Sequence, residues 1–238
     1  MESEFKQTVV GMYNRAAPLY GQVGTKQFTY FGSLLIERLN IPSGAQVLDI
    51  ASGRGALLLP AAEKAGSGGR VIGIDLAPEM AALTQAEIER RGLTQASMLL
   101  MDADDPVFER DAFDFITCGY ALHFLDYERL LPKLRDLLKP GGVFAASIPN
   151  QPGEDTARWM WLFDLTKAVF PPDFQPPAAW IAPRRLRTPQ LAEAALTEAG
   201  FARVWTELHT ATLYFRDADD WWDWEWSQGS RFWVEGMS

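Results

Sequence analysis

The chain has 238 residues, 47% of them hydrophobic and 22% charged, enough to build one substantial core. Its 31 acidic side chains outnumber its 22 basic ones, and the net charge of -9 has the wrong sign for a protein that neutralises nucleic-acid phosphates. No apolar run is long enough to cross a bilayer, and the opening Met1-Glu2-Ser3-Glu4-Phe5-Lys6 carries no secretory signal. A cytoplasmic protein with no nucleic-acid or membrane partner is expected. The single cysteine, Cys118, allows neither an intrachain disulfide nor a cysteine-rich metal site.

Residues 1–40 read as helical. Leu34, Leu35, Ile36 and Leu39 form an apolar stripe, and Pro42-Ser43-Gly44 ends it. Short apolar runs then alternate with amphipathic segments. Strands are predicted at 46–50, 70–75, 97–101, 113–118 and 143–148, with helices at 57–65, 79–90 and 127–138 between them. Such alternation, with right-handed crossovers, gives a doubly wound α/β fold, a mostly parallel sheet with helices on both faces. After residue 148 the chain turns Pro- and Trp-rich, with a helix expected over 156–169 and an irregular loop beyond it. Arg184-Arg185-Leu186-Arg187 is the one dense basic cluster and reads as a solvated turn before a helix. Thr188-Pro189 then starts that helix and Gly200 ends it. An extended stretch follows over 201–215, and 217–226 reads as a final amphipathic helix.

The strongest chemical signal is Val47-Leu48-Asp49-Ile50-Ala51-Ser52-Gly53-Arg54-Gly55-Ala56-Leu57, a strand running into a glycine turn and then a helix. Glycine lets backbone approach a ligand closely, and this turn falls at the carboxyl edge of the first strand, where open α/β sheets bind ligands. The second strand ends in Asp75, about 20 residues after Gly55, the spacing at which a carboxylate accepts ribose hydroxyls. A dehydrogenase would share these features. However, the dinucleotide fingerprint wants a third glycine where Leu58 stands, and Asp49 beside the turn would repel a pyrophosphate while suiting a cationic ligand.

The segment resembles motif I of class I S-adenosylmethionine-dependent methyltransferases, and more narrowly the ubiquinone/menaquinone-biosynthesis-like (UbiE-like) group. Residues 71–80, Met101-Asp102-Ala103, 113–118 and Leu137-Leu138-Lys139-Pro140-Gly141-Gly142 match further motifs in order, and 13–20 resembles that group's lid helix. The resemblance covers roughly residues 5–230. It implies one Rossmann-like methyltransferase domain over 1–238: a helical lid (1–40), a cofactor-binding core (41–148), a cap insertion (149–187) and a C-terminal helix, strands and helix (188–238). It implies S-adenosylmethionine as cofactor. Asp49 and the backbone from Ala51 through Gly53 to Gly55 would hold its methionine part. Asp75 would take the ribose, Leu76 and Met80 would pack on the adenine, and Asp102 and Ala103 would meet the adenine amino group. Cys118 would border the sulfonium, with Tyr13 and Tyr20 closing over the ligand. The plainer alternatives are a helix-capping Asp75, a turn aspartate at Asp102, core packing for Met80, and packing tyrosines in a helical hairpin.

Three departures stand out. Ala51 replaces a glycine common in relatives, and its small side chain is expected to leave binding intact. Ala77 replaces a capping serine. The chain also stops at Ser238, short of a final antiparallel strand, so either 210–215 supplies a seventh strand or the sheet has an open edge that pairs with another copy in a homo-oligomer. Of the two histidines, His123 follows the fourth strand at the ligand edge of the sheet and is the candidate base or acceptor contact, with a packed histidine as the alternative; His209 reads as structural. Tyr120, Trp159, Phe163 and Trp180 are the candidate acceptor-binding residues, and their chemistry points to an apolar small molecule of aromatic, polyketide-like or terpene-like type. No metal site is expected. The rival to an active methyltransferase is a non-catalytic or repurposed member of the fold, acting as a partner subunit or in another reaction.

Overall fold

A computed structural model describes residues 2–149, 186 and 188–236. Two helices open the chain, α1 (Glu2–Ala16) and α2 (Gln27–Arg38). The alternating unit follows: β1 (Gln46–Ile50), α3 (Leu58–Ala65), β2 (Arg70–Asp75), α4 (Pro78–Arg90), β3 (Ala96–Leu100), β4 (Phe113–Gly119), a 3-10 turn (Leu122–Phe124), α5 (Tyr127–Leu137) and β5 (Leu138–Ser147). Helices α6 (Pro189–Glu198), α7 (Ala218–Trp226) and α8 (Arg231–Glu235) complete it. No helix among the described residues is long and apolar enough to cross a membrane.

The described strands form one parallel sheet in the order β3-β2-β1-β4-β5. The chain runs outward from β1 to β3, then returns to β4 on the other side of β1. The carboxyl ends of β1 and β4 therefore diverge into a crevice, the place where such sheets take ligands. β1 and β2 are buried on both faces, as their unbroken apolar runs require, because helices cover the sheet above and below. One core cluster joins Leu48, Ile72, Phe113, Leu130 and Leu134, a second joins Ile36, Val47, Leu58 and Val71, and a small third joins Ala17, Ala77 and Met80. Burying a Leu or Ile of this kind contributes about 1.5–3 kcal/mol each.

Gly32 fixes the lid's height above the sheet. A Cβ there would lie 2.6 Å from the Ala56 carbonyl oxygen, so only glycine lets α2 press onto the turn after β1. The Thr188 side chain accepts from the Leu191 amide and starts α6, and Asp217 does the same for the Asp220 amide at α7. Ala77 offers no side-chain cap to α4.

One expectation about the sheet needs revision. Residues 201–215 take no regular secondary structure, and no part of them, 210–215 included, joins a ladder. Alternating polarity favours extended backbone but supplies no partner edge. Opposite 203–209 lies a cavity of about 470 Å3, not β5. Consecutive β5 residues, Val143 to Ser147, line its other side, so it runs along the strand's edge and leaves β5 outermost among the described strands. The short helix α8 was not anticipated. The predicted cap helix over 156–169, with Trp159, Phe163 and Trp180, and most of the 184–187 basic cluster lie outside the described residues.

Candidate active site

The site grows from the end of β1. In register, Asp49 faces Gly73 of β2 and Thr117 of β4. A Cβ at Gly73 would sit 2.6 Å from Leu58, so its absence lets α3 start directly over the sheet. Asp49 is fully buried. It accepts from the Ser52 hydroxyl at 2.6 Å, the Thr117 hydroxyl at 2.7 Å and the Leu58 amide at the start of α3. Burial outweighs these donors and pushes its pKa up to about 6. Asp49 thus lies beneath the turn and braces it, while Ala51, Ser52 and Gly53 form the cavity wall above.

Ala51, Gly53 and Gly55 all take left-handed backbone, with φ of 50°, 53° and 77°. The conformation costs nothing at the glycines but strains Ala51 by about 1–2 kcal/mol. Small size was the property expected to matter at position 51, whereas backbone handedness is what a glycine would relieve there.

Asp75 ends β2, on the side of β1 away from β4. One of its oxygens accepts from the Gly53 amide at 2.7 Å and the other from the Ala77 amide at 2.9 Å. It therefore caps the entrance to α4 and also faces the glycine turn. Burial raises its pKa, partly offset by the amides of Ala77, Gly53 and Leu76. Met80 is buried against Ala17, Tyr13 and Tyr20, and Leu76 is half-buried. Asp102 follows β3, where it accepts from the Asp104 amide and from Lys6 of α1, at 2.9 and 2.7 Å. Ala103 beside it is buried.

The lid covers this row. Lys6 bridges Asp102 and Asp104 at 2.7 Å each, and Asn14 accepts from the Glu79 amide. Tyr20 stacks on Phe28 with ring centres 4.8 Å apart, and Phe28 meets Tyr120 edge-on at 5.5 Å. Phe28 and Phe31, three residues apart on α2, share one helix face, and both contact Tyr120. Burial next to Tyr13 and Asp75 raises the Tyr20 phenol pKa well above its ordinary value. The cavity left between lid and turn is about 30 Å3, and Tyr20 and Phe28 form its lid side.

Tyr120 and His123 continue the chain from β4. Tyr120 has a φ of 55°, an unusual strain for an aromatic residue, and its amide donates to the Ser147 carbonyl. It lines both the small cavity and the larger one beside β5. His123 lies in the 3-10 turn with its ring 4.0 Å from that of Phe124. Cys118 is fully buried, its pKa pushed up to about 12 by burial; only its backbone could border a ligand. His209 contacts Glu207 at 3.1 Å on the far segment. Among the described residues no three His, Cys, Asp or Glu side chains gather as a metal site.

The structure therefore draws together Tyr13, Tyr20, Asp49, Ala51, Gly53, Gly55, Asp75 and Met80, with Asp102 and Ala103 along the same edge. Lys6, Thr117, Phe28 and Phe31 escaped the sequence reading, and for Ser52 and Arg54 it gave a role to the backbone but none to the side chain. Thr117 was detectable as a hydroxyl in an otherwise apolar strand, and Phe28 and Phe31 by their helical spacing. Lys6 gave no signal, since its partners are nearly a hundred residues away.

A parallel sheet with this strand order, a glycine turn over a buried carboxylate and a second carboxylate at the next strand's end define a nucleoside-binding site of the class I methyltransferase type. Residues 47–142 match the profile of the methyltransferase domain family. Aklanonic acid methyltransferase DauC of Streptomyces sp. (strain C5) is 38% identical over 149 residues, 62% of this chain and 68% of that protein. Nocamycin O-methyltransferase of Saccharothrix syringae is 32% identical over 234 residues, 94% of this chain and 83% of that protein. A solved S-adenosylmethionine-dependent methyltransferase from Aquifex aeolicus superposes with a TM-score of 0.54 at 19% identity, over 71% of this chain and 78% of that one, and shares the fold. The chain belongs to the class I S-adenosylmethionine-dependent methyltransferase family, with UbiE-like demethylmenaquinone methyltransferases among its relatives.

Proposed function

We propose that this methyltransferase alkylates an apolar, ring-bearing small molecule, with the nucleoside held across the glycine turn between β1 and β2. The observation that carries the reading is the Asp75 carboxylate set against the Gly53 amide beneath Tyr20. A donor such as a ribose hydroxyl can replace the amide there and find a charged acceptor already in place. Leu76 and Met80 would flank the adenine, with Asp102 and the Ala103 amide at its amino edge. Asp49 would act from below, fixing the turn and biasing the site toward a cation. When bound, S-adenosylmethionine supplies an electrophilic methyl group on a sulfonium. The protein's part is to align the acceptor with it, exclude water under the aromatic lid, and accept a proton where the acceptor has one to lose.

Tyr120 and His123, at the end of β4, are the residues we assign to the acceptor side, with His123 as the proton acceptor. Trp159, Phe163 and Trp180 of the cap would add apolar surface. The aromatic face built by Phe28, Phe31 and Tyr120 supports a planar apolar acceptor, as do relatives named for aklanonic acid, nocamycin and demethylmenaquinone. The β5 edge, outermost among the described strands, supports a homo-oligomer. Incubation with S-adenosylmethionine and a panel of hydroxylated or carboxylated polyketides and quinones should yield a product heavier by one methyl group. Turnover confined to polar acceptors would reject the apolar assignment.

A further inference from the structure

The geometry points to Arg54 as the residue that binds the carboxylate of the nucleoside's amino-acid end and ties that contact to lid closure. This inference rests on the nucleoside reading above and assigns a ligand to one part of the same site.

Arg54 sits between Gly53 and Gly55, and it lines the small cavity together with Tyr20, Ala51, Ser52 and Gly53. Its guanidinium is committed on one side only. Nη1 donates to the Ala17 carbonyl in the turn after α1. Nε is buried and has no hydrogen-bond partner among the described residues. Glu87, the carboxylate whose field reaches it, already pairs with Arg90 and Arg91. Burial disfavours the charged form of Arg54, in keeping with a guanidinium that has no close anion among the described residues.

A buried donor on a cation normally has a partner, because leaving it idle is costly. The missing partner should be an anion that enters the cavity. A guanidinium fork suits carboxylate and phosphate alike. Asp49 and Asp75 lie just below the turn, and their charge would oppose a phosphate far more than a carboxylate whose own molecule carries an ammonium. An amino-acid carboxylate meets that condition. Because the same guanidinium holds Ala17, a carboxylate at Nε would fix the side chain that anchors the lid. Ligands with the carboxylate should favour the closed state, and ligands without it should not.

The test compares two nucleosides by calorimetry. S-adenosylhomocysteine carries both ammonium and carboxylate; its decarboxylated analogue, S-adenosyl-3-thiopropylamine, keeps the ammonium alone. Wild type should prefer S-adenosylhomocysteine by about tenfold to a hundredfold, the worth of a charge-assisted hydrogen bond. Arg54→Met should bind both with one affinity, near that of wild type for the decarboxylated compound. Arg54→Lys, which keeps charge but loses the fork, should fall between. A preference that survives in Arg54→Met, or a loss equal for both ligands, overturns the inference. Should Arg54→Met fail to fold, an unchanged preference in Arg54→Lys overturns it instead. Wild type binding both compounds equally defeats this inference alone, whereas wild type binding neither defeats the nucleoside reading itself.

Discussion

Replacing Asp49 with Asn tests whether a buried charge, kept for the ligand, costs the free protein stability. The Asp49 pKa is pushed from an ordinary 3.8 up to about 6 by burial. A raised carboxylate pKa favours the folded state only while the group is protonated. Its contribution is therefore complete below about pH 4 and lost as pH rises through 6. The difference of about 2 pH units at 1.36 kcal/mol each makes the ionised form cost about 3 kcal/mol at pH 8. An asparagine fits the same space, still accepts one hydrogen bond and can donate to the Ser52 or Thr117 hydroxyl, so it escapes that cost. Urea unfolding of the ligand-free protein should show Asp49→Asn more stable than wild type at pH 8 by about 3 kcal/mol. The advantage should shrink steadily between pH 6 and pH 4. The same variant should bind S-adenosylhomocysteine more weakly at pH 8. A variant less stable than wild type at pH 8, or a gap unchanged with pH, would show that Asp49 is a net stabiliser and refute the reasoning.

Three other substitutions probe separate parts of the site. Ala51→Gly relieves the left-handed strain but loosens the unfolded chain, so stability should rise by about 0.5–1 kcal/mol in urea titrations; a fall would mean the methyl group packs usefully. Lys6→Met frees Asp102 and Asp104 from their cation, and a half-buried pair near the surface is worth about 1 kcal/mol. S-adenosylhomocysteine affinity should rise by up to about fivefold and lose part of its salt dependence, while weaker binding would make Lys6 part of the ligand site. His123→Asn should lower turnover about a hundredfold or more with little change in S-adenosylhomocysteine affinity; equal loss of both would mark a packing residue.

The alternating half of the chain was legible because its central strands, β1, β2 and β4, are largely buried and carry dense apolar runs. β1 and β2 match their predicted bounds, and the others shift by a residue or two, or at β5 by five at its start. Asp49, Asp75 and the glycines stood out because their roles depend on short-range spacing. What stayed hidden depends on distant partners. Lys6 meets Asp102 across 96 residues of sequence, and Arg54 meets the Ala17 carbonyl across 37. Residues 201–215 show the opposite failure. Their alternation marks extended backbone, but a ladder also needs a neighbouring edge, and β5 stands away across the cavity.

The account turns on Asp75 receiving the sugar of a nucleoside seated on the glycine turn. Calorimetric titration of wild type and Asp75→Asn with S-adenosylhomocysteine, both verified as folded by circular dichroism, measures this directly. Wild type should bind at one site per chain, and Asp75→Asn should bind about tenfold to a hundredfold more weakly. Equal affinity in the two proteins, or no binding by wild type, would contradict it.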